Sequence, residues 1–144
     1  MKLAINKLSA FFHLNNQEKI IAFLCTCNLL LTSIFFKLLP LEKLILMTIF
    51  LSKKKFFKNQ KNISYKRIYY IHNKCFIYFF NSSCLIKCIS AKIILSFYGF
   101  EVKVQNGVRL EKDDLKGHAW IVINNNEILE KKEKVDQYSE SFSF

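Results

Sequence analysis

Two apolar runs, separated by a short polar break, dominate the first third of the chain. Residues 20–36 carry no charge, and after a break around Pro40 a second apolar run covers residues 44–51. The first run has seventeen residues, the lower limit for crossing a bilayer. The pattern predicts either a hairpin in or on a membrane, or a pair of buried helices that turns at Pro40. We favour the buried pair, because Asn28 and nearby hydroxyl side chains make the first run less apolar.

A polar stretch follows the apolar runs and predicts a basic linker. Residues 52–64 are rich in lysine, asparagine and glutamine. They separate an N-terminal apolar helical region, residues 1–51, from a second domain, residues 65–144. That domain opens with residues 65–80, which are aromatic and basic and predict a helix packed on the core with its lysines in solvent.

The next segment has the clearest helix signals in the chain. Residues 81–83 are Asn-Ser-Ser, which are good helix N-caps, and apolar residues then recur at helical spacing from Leu85 to Phe97. Gly99 stands where a glycine commonly ends a helix. The cap and the stop predict a helix of about fourteen residues with Cys84 in its first turn.

After Gly99 the pattern changes to short alternating runs that predict strands. Residues 100–104 and 108–110 flank Asn106-Gly107, a strong tight-turn signal. Residues 118–123 predict the next strand, and the asparagines at 124–126 predict a turn.

The end of the chain is expected to contribute one more strand and then little packing. Residues 127–131 are expected to return as a strand, and residues 132–144 to form a polar tail. The fold class is therefore α+β: N-terminal apolar helices, then a helix packed on a small antiparallel sheet.

Charge is strongly positive and unevenly placed. The formal net charge is +11, and no acidic residue occurs between Glu42 and Glu101, an interval that contains eight lysines and arginines from Lys53 to Lys74. A basic middle attracts an acidic peptide, an anionic membrane surface or nucleic acid, and is equally typical of a solvated face. We expect no nucleic-acid partner.

The five cysteines bear on compartment and metal binding. Their number is odd, and they form no pair of C-x-x-C knuckles for zinc. The first residues carry no apolar signal core. We therefore expect free thiols in a reducing cytoplasm, no metal and no cofactor.

The candidate chemistry is that of a thiol nucleophile paired with an imidazole. A helix N-terminus stabilises a thiolate and offers backbone N–H groups to a developing oxyanion, and Cys84 has that position. Cys88, one turn deeper, is expected to be packed. His118 begins a strand, and helix-borne Cys, strand-borne His and a following acid are ordered as in papain-like and transglutaminase-like enzymes.

Four short motifs resemble the peptidase domain of the lasso-peptide biosynthesis B proteins. They are Cys84-Leu85, Gly99-Phe100, Gly107-Val108 and His118-Ala119-Trp120. The glycine lies fifteen residues after Cys84, with Phe100 where the family has Ile. The apolar double run ending near Leu39-Pro40 is similar to the stand-alone members. The resemblance implies a transglutaminase-like or papain-like cysteine peptidase.

The third member of the triad departs from the family pattern. The family has Asp twelve residues after the His, and this chain has Glu130 there. A three-residue loop at 124–126 would set Trp120 opposite Glu130, with His118 one diagonal step away, roughly 7 Å between backbones. Asn124 is the alternative orienting residue. Trp120 is expected to be core or pocket wall, and Val122 replaces a Glu of many relatives.

The resemblance implies a leader peptidase that cuts a ribosomally made lasso precursor so that its core can be cyclised. The implied partners are the precursor, a separate winged-helix leader-recognition protein and an asparagine-synthetase-like cyclase. The chain has no glycine-rich phosphate loop, so ATP would bind the cyclase.

Three alternatives remain open beside the peptidase. The chain could be a non-catalytic scaffold that bridges precursor and cyclase. It could be a transamidase that resolves the same acyl-enzyme with an amine. It could also be a membrane-associated protein built on residues 20–51. The peptidase itself is expected in the cytoplasm, where it could attach peripherally to a membrane.

Overall fold

A computed structural model describes residues 14–57, 63–80, 83–111, 114–124, 127–130 and 132–144. From Asn16 to Phe97 the described elements are all helical, and the strands of the sheet follow. The helices are α1 (Asn16–Leu38), α2 (Leu41–Ser52), α3 (Tyr65–Cys75) with a π-helical extension (Phe76–Phe80), α4 (Cys84–Phe97) and the short α5 (Lys132–Val135).

The sheet is antiparallel and packs one face on α4. Its strands are β1 (Val102–Glu111), β2 (Asp114–Ile123), β3 (Glu127–Ile128) and β4 (Ser139–Ser143), in the order β3-β2-β1-β4. This arrangement confirms the α+β fold class with apolar helices ahead of a Cys-bearing helix and its sheet.

Helix α4 has the limits that its local signals predict. The Leu85 N–H donates to the Ser83 side chain at 3.2 Å, so Ser83 is the N-cap. At the other end Gly99 has φ 90°, and the N–H groups of Gly99 and Phe100 donate back to Ser96 and Leu95. These two hydrogen bonds form a Schellman motif that ends the helix. Glycine adopts the required positive φ with little steric strain because it has no Cβ. Asn81 and Ser82, also expected as caps, lie outside the described residues.

The core lies between α4, the sheet and the inner face of α1. Cys88 and Ile94 of α4 and Ala119 and Ile121 of β2 are fully buried together, and Leu29 brings α1 into the same cluster. Each large aliphatic side chain buried there contributes about 1.5–3 kcal/mol.

The N-terminal helices pack by one face each, with the chain turning at Pro40. Leu44 of α2 is buried beside α4. Ser52, the first residue of the expected linker, is the last residue of α2. Farther along, the Phe57 N–H donates to the Phe97 carbonyl at 2.8 Å, and Phe56 packs edge-on against Phe97. The residues just after α2 are therefore docked on the end of α4.

The expected tight turn at Asn106-Gly107 is wrong, because both residues lie inside the continuous strand β1. Gly107 pairs with His118 of β2. A Cβ on Gly107 would lie 2.8 Å from the Trp120 ring and 2.9 Å from the Ser139 carbonyl. The glycine is used for close approach of a ring and a neighbouring strand, not for turning.

The limits of three strands also differ from expectation. β1 begins at Val102 rather than at residue 100, because Phe100 completes the helix stop. β2 begins at Asp114 rather than at residue 118, since it pairs with β1 along its whole length. β3 has two residues instead of five, although Ile123 pairs with Glu127 across a three-residue loop as predicted. Asn125, Asn126 and Lys131 lie outside the described residues.

The polar tail expected at residues 132–144 is also wrong. It forms α5 and then β4, which pairs with β1 at the sheet edge. Val135 is buried, and the Phe144 backbone exchanges hydrogen bonds with Val104 at 2.8 and 3.1 Å. A sheet edge satisfies a strand's backbone whatever its side chains are, so a polar sequence can add to it.

Candidate active site

Cys84 is the first residue of α4 and is half-buried. Ser83 uses its side chain to cap the Leu85 N–H. The amide of Cys84 itself lies in the first turn, where a helix provides no acceptor for N–H groups. The partial positive charge of the helix terminus therefore faces this thiol.

Three of the other four thiols are poorly suited to act as nucleophiles. Cys25, Cys75 and Cys88 are buried, and burial raises the pKa of each thiol. The Cys88 thiol donates to the Ala119 carbonyl at 3.3 Å, which is a packing role. Cys27 is half-buried in the middle of α1, away from any helix terminus.

His118 and Glu130 are in direct contact. His118 Nε2 lies 2.9 Å from Glu130 Oε2, and both side chains are partly buried. The pair forms because the three-residue loop after β2 brings the chain back along the same edge, with the Leu129 N–H donating to the Ile121 carbonyl at 3.1 Å. With Nε2 bound to the carboxylate, Nδ1 is the nitrogen left for a thiol. Asn124, the alternative orienting residue, has φ 49° in the turn.

Lys87 is a third member of this cluster that the sequence reasoning missed. Its Nζ lies 2.6 Å from Glu130 Oε1. The two carboxylate oxygens of Glu130 therefore contact two different basic side chains, Lys87 and His118. Burial opposes ionisation of Glu130, but Lys87 and then His118 outweigh it, and the pKa of Glu130 is lowered. Burial also opposes the charge on Lys87, yet Tyr69 and Glu130 raise its pKa. The sequence did contain one indication of this role: Lys87 lies three residues after Cys84 and therefore on the same side of the helix.

Two aromatic rings hold the His118 imidazole. Trp120 stacks at 6.2 Å between centroids with 28° between planes, and Tyr138 lies at 5.2 Å and 34°. Trp120 is fully buried and rests on Gly107, as a core residue does. Tyr138 comes from the segment expected to be a tail, and no sequence pattern indicated its role.

Helix α4 packs on β2, and two side-chain contacts show how the helix and the strand run relative to each other. The Cys88 thiol contacts the Ala119 carbonyl, and one turn later Lys92 Nζ donates to the Val102 carbonyl at 2.8 Å. Val102 pairs with Ile123, so α4 advances in the direction of β2. The end of α4 that begins with Cys84 is therefore directed toward the beginning of β2.

Within the described part of the chain, the Cys84 thiol and the His118 imidazole form no direct hydrogen bond. The structure thus joins His118, Glu130 and Lys87, and Cys84 lies three residues before Lys87 on the same helix. Such thiol–imidazole contacts are often longer without substrate than with it.

The described residues offer no alternative site for metal chemistry. No group of three or more His, Cys, Asp or Glu side chains within them is placed to hold a metal ion.

A cavity of about 440 Å³ lies at the opposite end of α4 from Cys84, against Lys92, Ser96 and Phe100. It is therefore separate from the His118 cluster.

Comparison with known proteins identifies a family. A family model described as the transglutaminase-like superfamily matches residues 63–143, more than half of the chain. The matched residues include the Cys84 helix and the strand that carries His118. No curated protein and no solved structure matches the chain significantly.

Proposed function

Since this chain belongs to the transglutaminase-like superfamily, which includes cysteine proteases, we propose that it is the leader peptidase of a lasso-peptide pathway. The observation that carries the proposal is the hydrogen bond between His118 and Glu130 beside a helix that begins with Cys84. The pathway assignment is supported by the short motifs around Cys84, Gly107 and His118. Catalysis by Cys84, His118 and Glu130 is part of the proposal.

In the first step Cys84 attacks the carbonyl at the junction between leader and core. His118 Nδ1 takes the thiol proton, and the Sγ–C bond forms. The Cys84 backbone N–H donates to the oxyanion of the tetrahedral intermediate. The C–N bond then breaks as the imidazolium returns its proton to the leaving amine, which is the new N-terminus of the core peptide.

In the second step water releases the leader. His118 takes a proton from water, the hydroxide attacks the thioester carbonyl, and the imidazolium protonates the departing Cys84 thiolate. Glu130 keeps the imidazole oriented and balances its charge in both steps. The freed core amine is the substrate for an ATP-using cyclase, which would act with a separate leader-recognition protein.

The proposal is tested by cleavage of a precursor peptide. The short precursor and the recognition protein would be taken from genes adjacent to this one, purified and incubated with the chain. We expect a leader with a free carboxylate and a core with a free amine, measured by mass spectrometry. A leader whose new end is joined to an amine instead would establish a transamidase and contradict hydrolysis.

Cys84→Ala and Cys27→Ala form a matched pair for this assay, because both thiols are half-buried. We expect Cys84→Ala to abolish cleavage and Cys27→Ala to leave it unchanged. Unchanged cleavage by Cys84→Ala would refute the mechanism.

A non-catalytic scaffold is the second candidate function. It is favoured by the missing direct bond between Cys84 and His118, and by Glu130 where the resembled family has Asp. Labelling with iodoacetamide separates the two functions without any precursor. If the chain is a peptidase, we expect iodoacetamide to label Cys84 before the other thiols and to label it more slowly in His118→Ala. If the chain is a scaffold, the rate of Cys84 labelling does not depend on His118.

A further inference from the structure

Helix α1 has its polarity reversed relative to an ordinary surface helix. Between Ile20 and Leu38 every exposed residue is apolar apart from Lys37. The most outward side chains, between 43% and 71% exposed, form one stripe about 100° wide on a helix of period 3.6. These residues are Ile20, Phe23, Leu30, Leu31, Ile34 and Leu38.

Three polar residues of α1 instead face the protein. Thr32 is buried, and the Asn28 amide donates to the carbonyl and to the hydroxyl of Ser90 on α4, both at 2.9 Å. Glu18 is buried against Arg67 of α3 at 2.6 Å. In water the opposite arrangement is favoured, so the outward stripe is suited to an apolar surrounding.

Helix α2 extends the same kind of surface. Leu46 and Phe50, one turn apart, are 66% and 63% exposed. We call these two residues together with the α1 stripe the outer apolar face. Eight large apolar side chains that are at least 43% exposed on two consecutive helices exceed the scattered apolar exposure that a soluble monomer normally shows.

The charges around the outer apolar face are nearly all positive. Residues 14–57 contain six lysines and only two acids. One acid, Glu18, is already paired with Arg67, which leaves Glu42 exposed in the turn. Three lysines stand together at residues 53–55 directly after α2, and Lys54 lies over the Phe50 ring at 5.6 Å.

We propose that the outer apolar face is a docking surface for an anionic lipid bilayer. A protein partner is met by a rim of mixed charge, whereas apolar side chains bordered by lysines fit acyl chains bordered by phosphate headgroups. Lysine stems lie along the apolar layer while their ammonium groups reach the headgroups.

The helix pair lies along the bilayer surface and does not cross it. By length and composition alone α1 is long and apolar enough to span a membrane. Its inner face, however, packs on α3 and α4 and holds Asn28 and Glu18 there. A crossing would draw α3, with Lys66 and Arg67, into the hydrocarbon.

Flotation of the full chain with phospholipid vesicles tests this surface. Vesicles of equal parts phosphatidylcholine and phosphatidylglycerol are compared with vesicles of phosphatidylcholine alone. We expect the chain to float with the anionic vesicles, and more weakly at high salt because screening removes the lysine contribution. A chain that stays at the bottom of the gradient with anionic vesicles would overturn the proposal.

Paired variants locate the binding to the outer apolar face. Phe23→Glu combined with Leu30→Glu is expected to lower partitioning at least about a hundredfold, since two exposed side chains that would enter the bilayer become charged. The control is Leu110→Glu with Leu115→Glu, equally exposed apolar positions at the end of the β1–β2 hairpin. The control should float like the wild type, and equal loss in both variants would contradict the assignment.

The lysines and the oligomeric state give two further readings. Replacing Lys53, Lys54 and Lys55 by Gln is expected to weaken binding to anionic vesicles by about fivefold per lysine. A wild-type dimer that Phe23→Glu and Leu30→Glu dissociate, without vesicle binding, would show that a second copy covers the face and would overturn the proposal. The inference is independent of the proposed peptidase: Cys84→Ala is expected to float normally.

Discussion

Two histidines lie against the same helix α4 in opposite surroundings. His72 is fully buried, with Nε2 3.0 Å from the Ser90 hydroxyl, which itself accepts from Asn28. Burial, and secondarily the charge of Lys87, lower the pKa of His72 to about 3. His118 is partly exposed and has the carboxylate of Glu130 at 2.9 Å.

The difference teaches which histidine can carry a proton in a reaction. Among the described residues His72 has no acidic partner, lies within the influence of the Lys87 charge, and serves as a hydrogen-bonding link between α1, α3 and α4. His118 has a negative partner for an imidazolium, and its second nitrogen is left for a thiol. Either histidine could have been chosen from the residue type alone; access and a counter-ion separate them.

The largest effect is expected from replacing His118, the histidine of the proposed catalytic site. His118→Gln should lower kcat/KM for leader cleavage by at least about a thousandfold, roughly 4 kcal/mol, because the thiol loses its base. His72→Gln is the control, and after correction for the folded fraction it should cleave normally. Urea titration measures that fraction, and a comparable loss of kcat/KM in both variants would contradict the distinction.

The second prediction sharpens the comparison at the buried histidine. The folded pKa of His72 is below the unfolded value of about 6.5, so the unfolded chain binds the proton more readily. The stabilising contribution is present above about pH 6.5 and is lost as the pH falls toward 3, by up to about 1.4 kcal/mol per unit.

Urea unfolding at intervals of roughly one pH unit between about pH 7 and 4 measures how the unfolding free energy depends on pH. His72→Gln should be less stable at pH 7 but should show a smaller loss on acidification. His118→Gln is the control and should retain the slope. A wild type whose stability is flat over this range would contradict a neutral buried His72.

Replacing Lys87 is expected to have a smaller effect on the His118 cluster. Lys87→Met removes the cation that holds Glu130 Oε1, so the pKa of Glu130 should rise. The acid limb of the cleavage profile should then move to higher pH, with kcat lowered about tenfold, about 1.4 kcal/mol. Lys87→Arg keeps the positive charge, so the acid limb of its pH profile should lie at the wild-type pH. A merely structural lysine would change stability and leave the pH profile in place.

The smallest effect concerns two helix caps. Ser83 caps α4 at Cys84, and Ser64 caps α3 by accepting from the Arg67 N–H at 3.3 Å. Ser83→Ala and Ser64→Ala should each cost about 1 kcal/mol of unfolding free energy. Only Ser83→Ala should also slow iodoacetamide labelling of Cys84. Equal labelling rates in the two variants would show that the cap does not affect the thiol.

Features set by neighbours in the chain were predicted well. The limits of α4 follow from Ser83 and Gly99, both within two residues of a helix end. The loop of residues 124–126 set the register in which Ile123 pairs with Glu127, and from it the approach of Glu130 to His118. Each of these depends on a few adjacent residues.

Features set by distant partners were missed or misread. Asn106-Gly107 has the composition of a turn but is a strand, because Trp120 of β2 and Ser139 of β4 occupy the space beside the glycine. The segment that supplies Tyr138 reads as a tail, and the open edge of β1 makes it a strand.

By itself the sequence determined a capped helix beginning with Cys84, a strand that contains His118 and a short loop between that strand and Glu130. Only the tertiary structure decided that Lys87 shares Glu130, that Tyr138 covers His118 and that α1 turns its apolar side chains outward. Caps, stops and short loops act over a few bonds, whereas ion pairs, ring contacts and the face a helix buries depend on residues far apart in the chain.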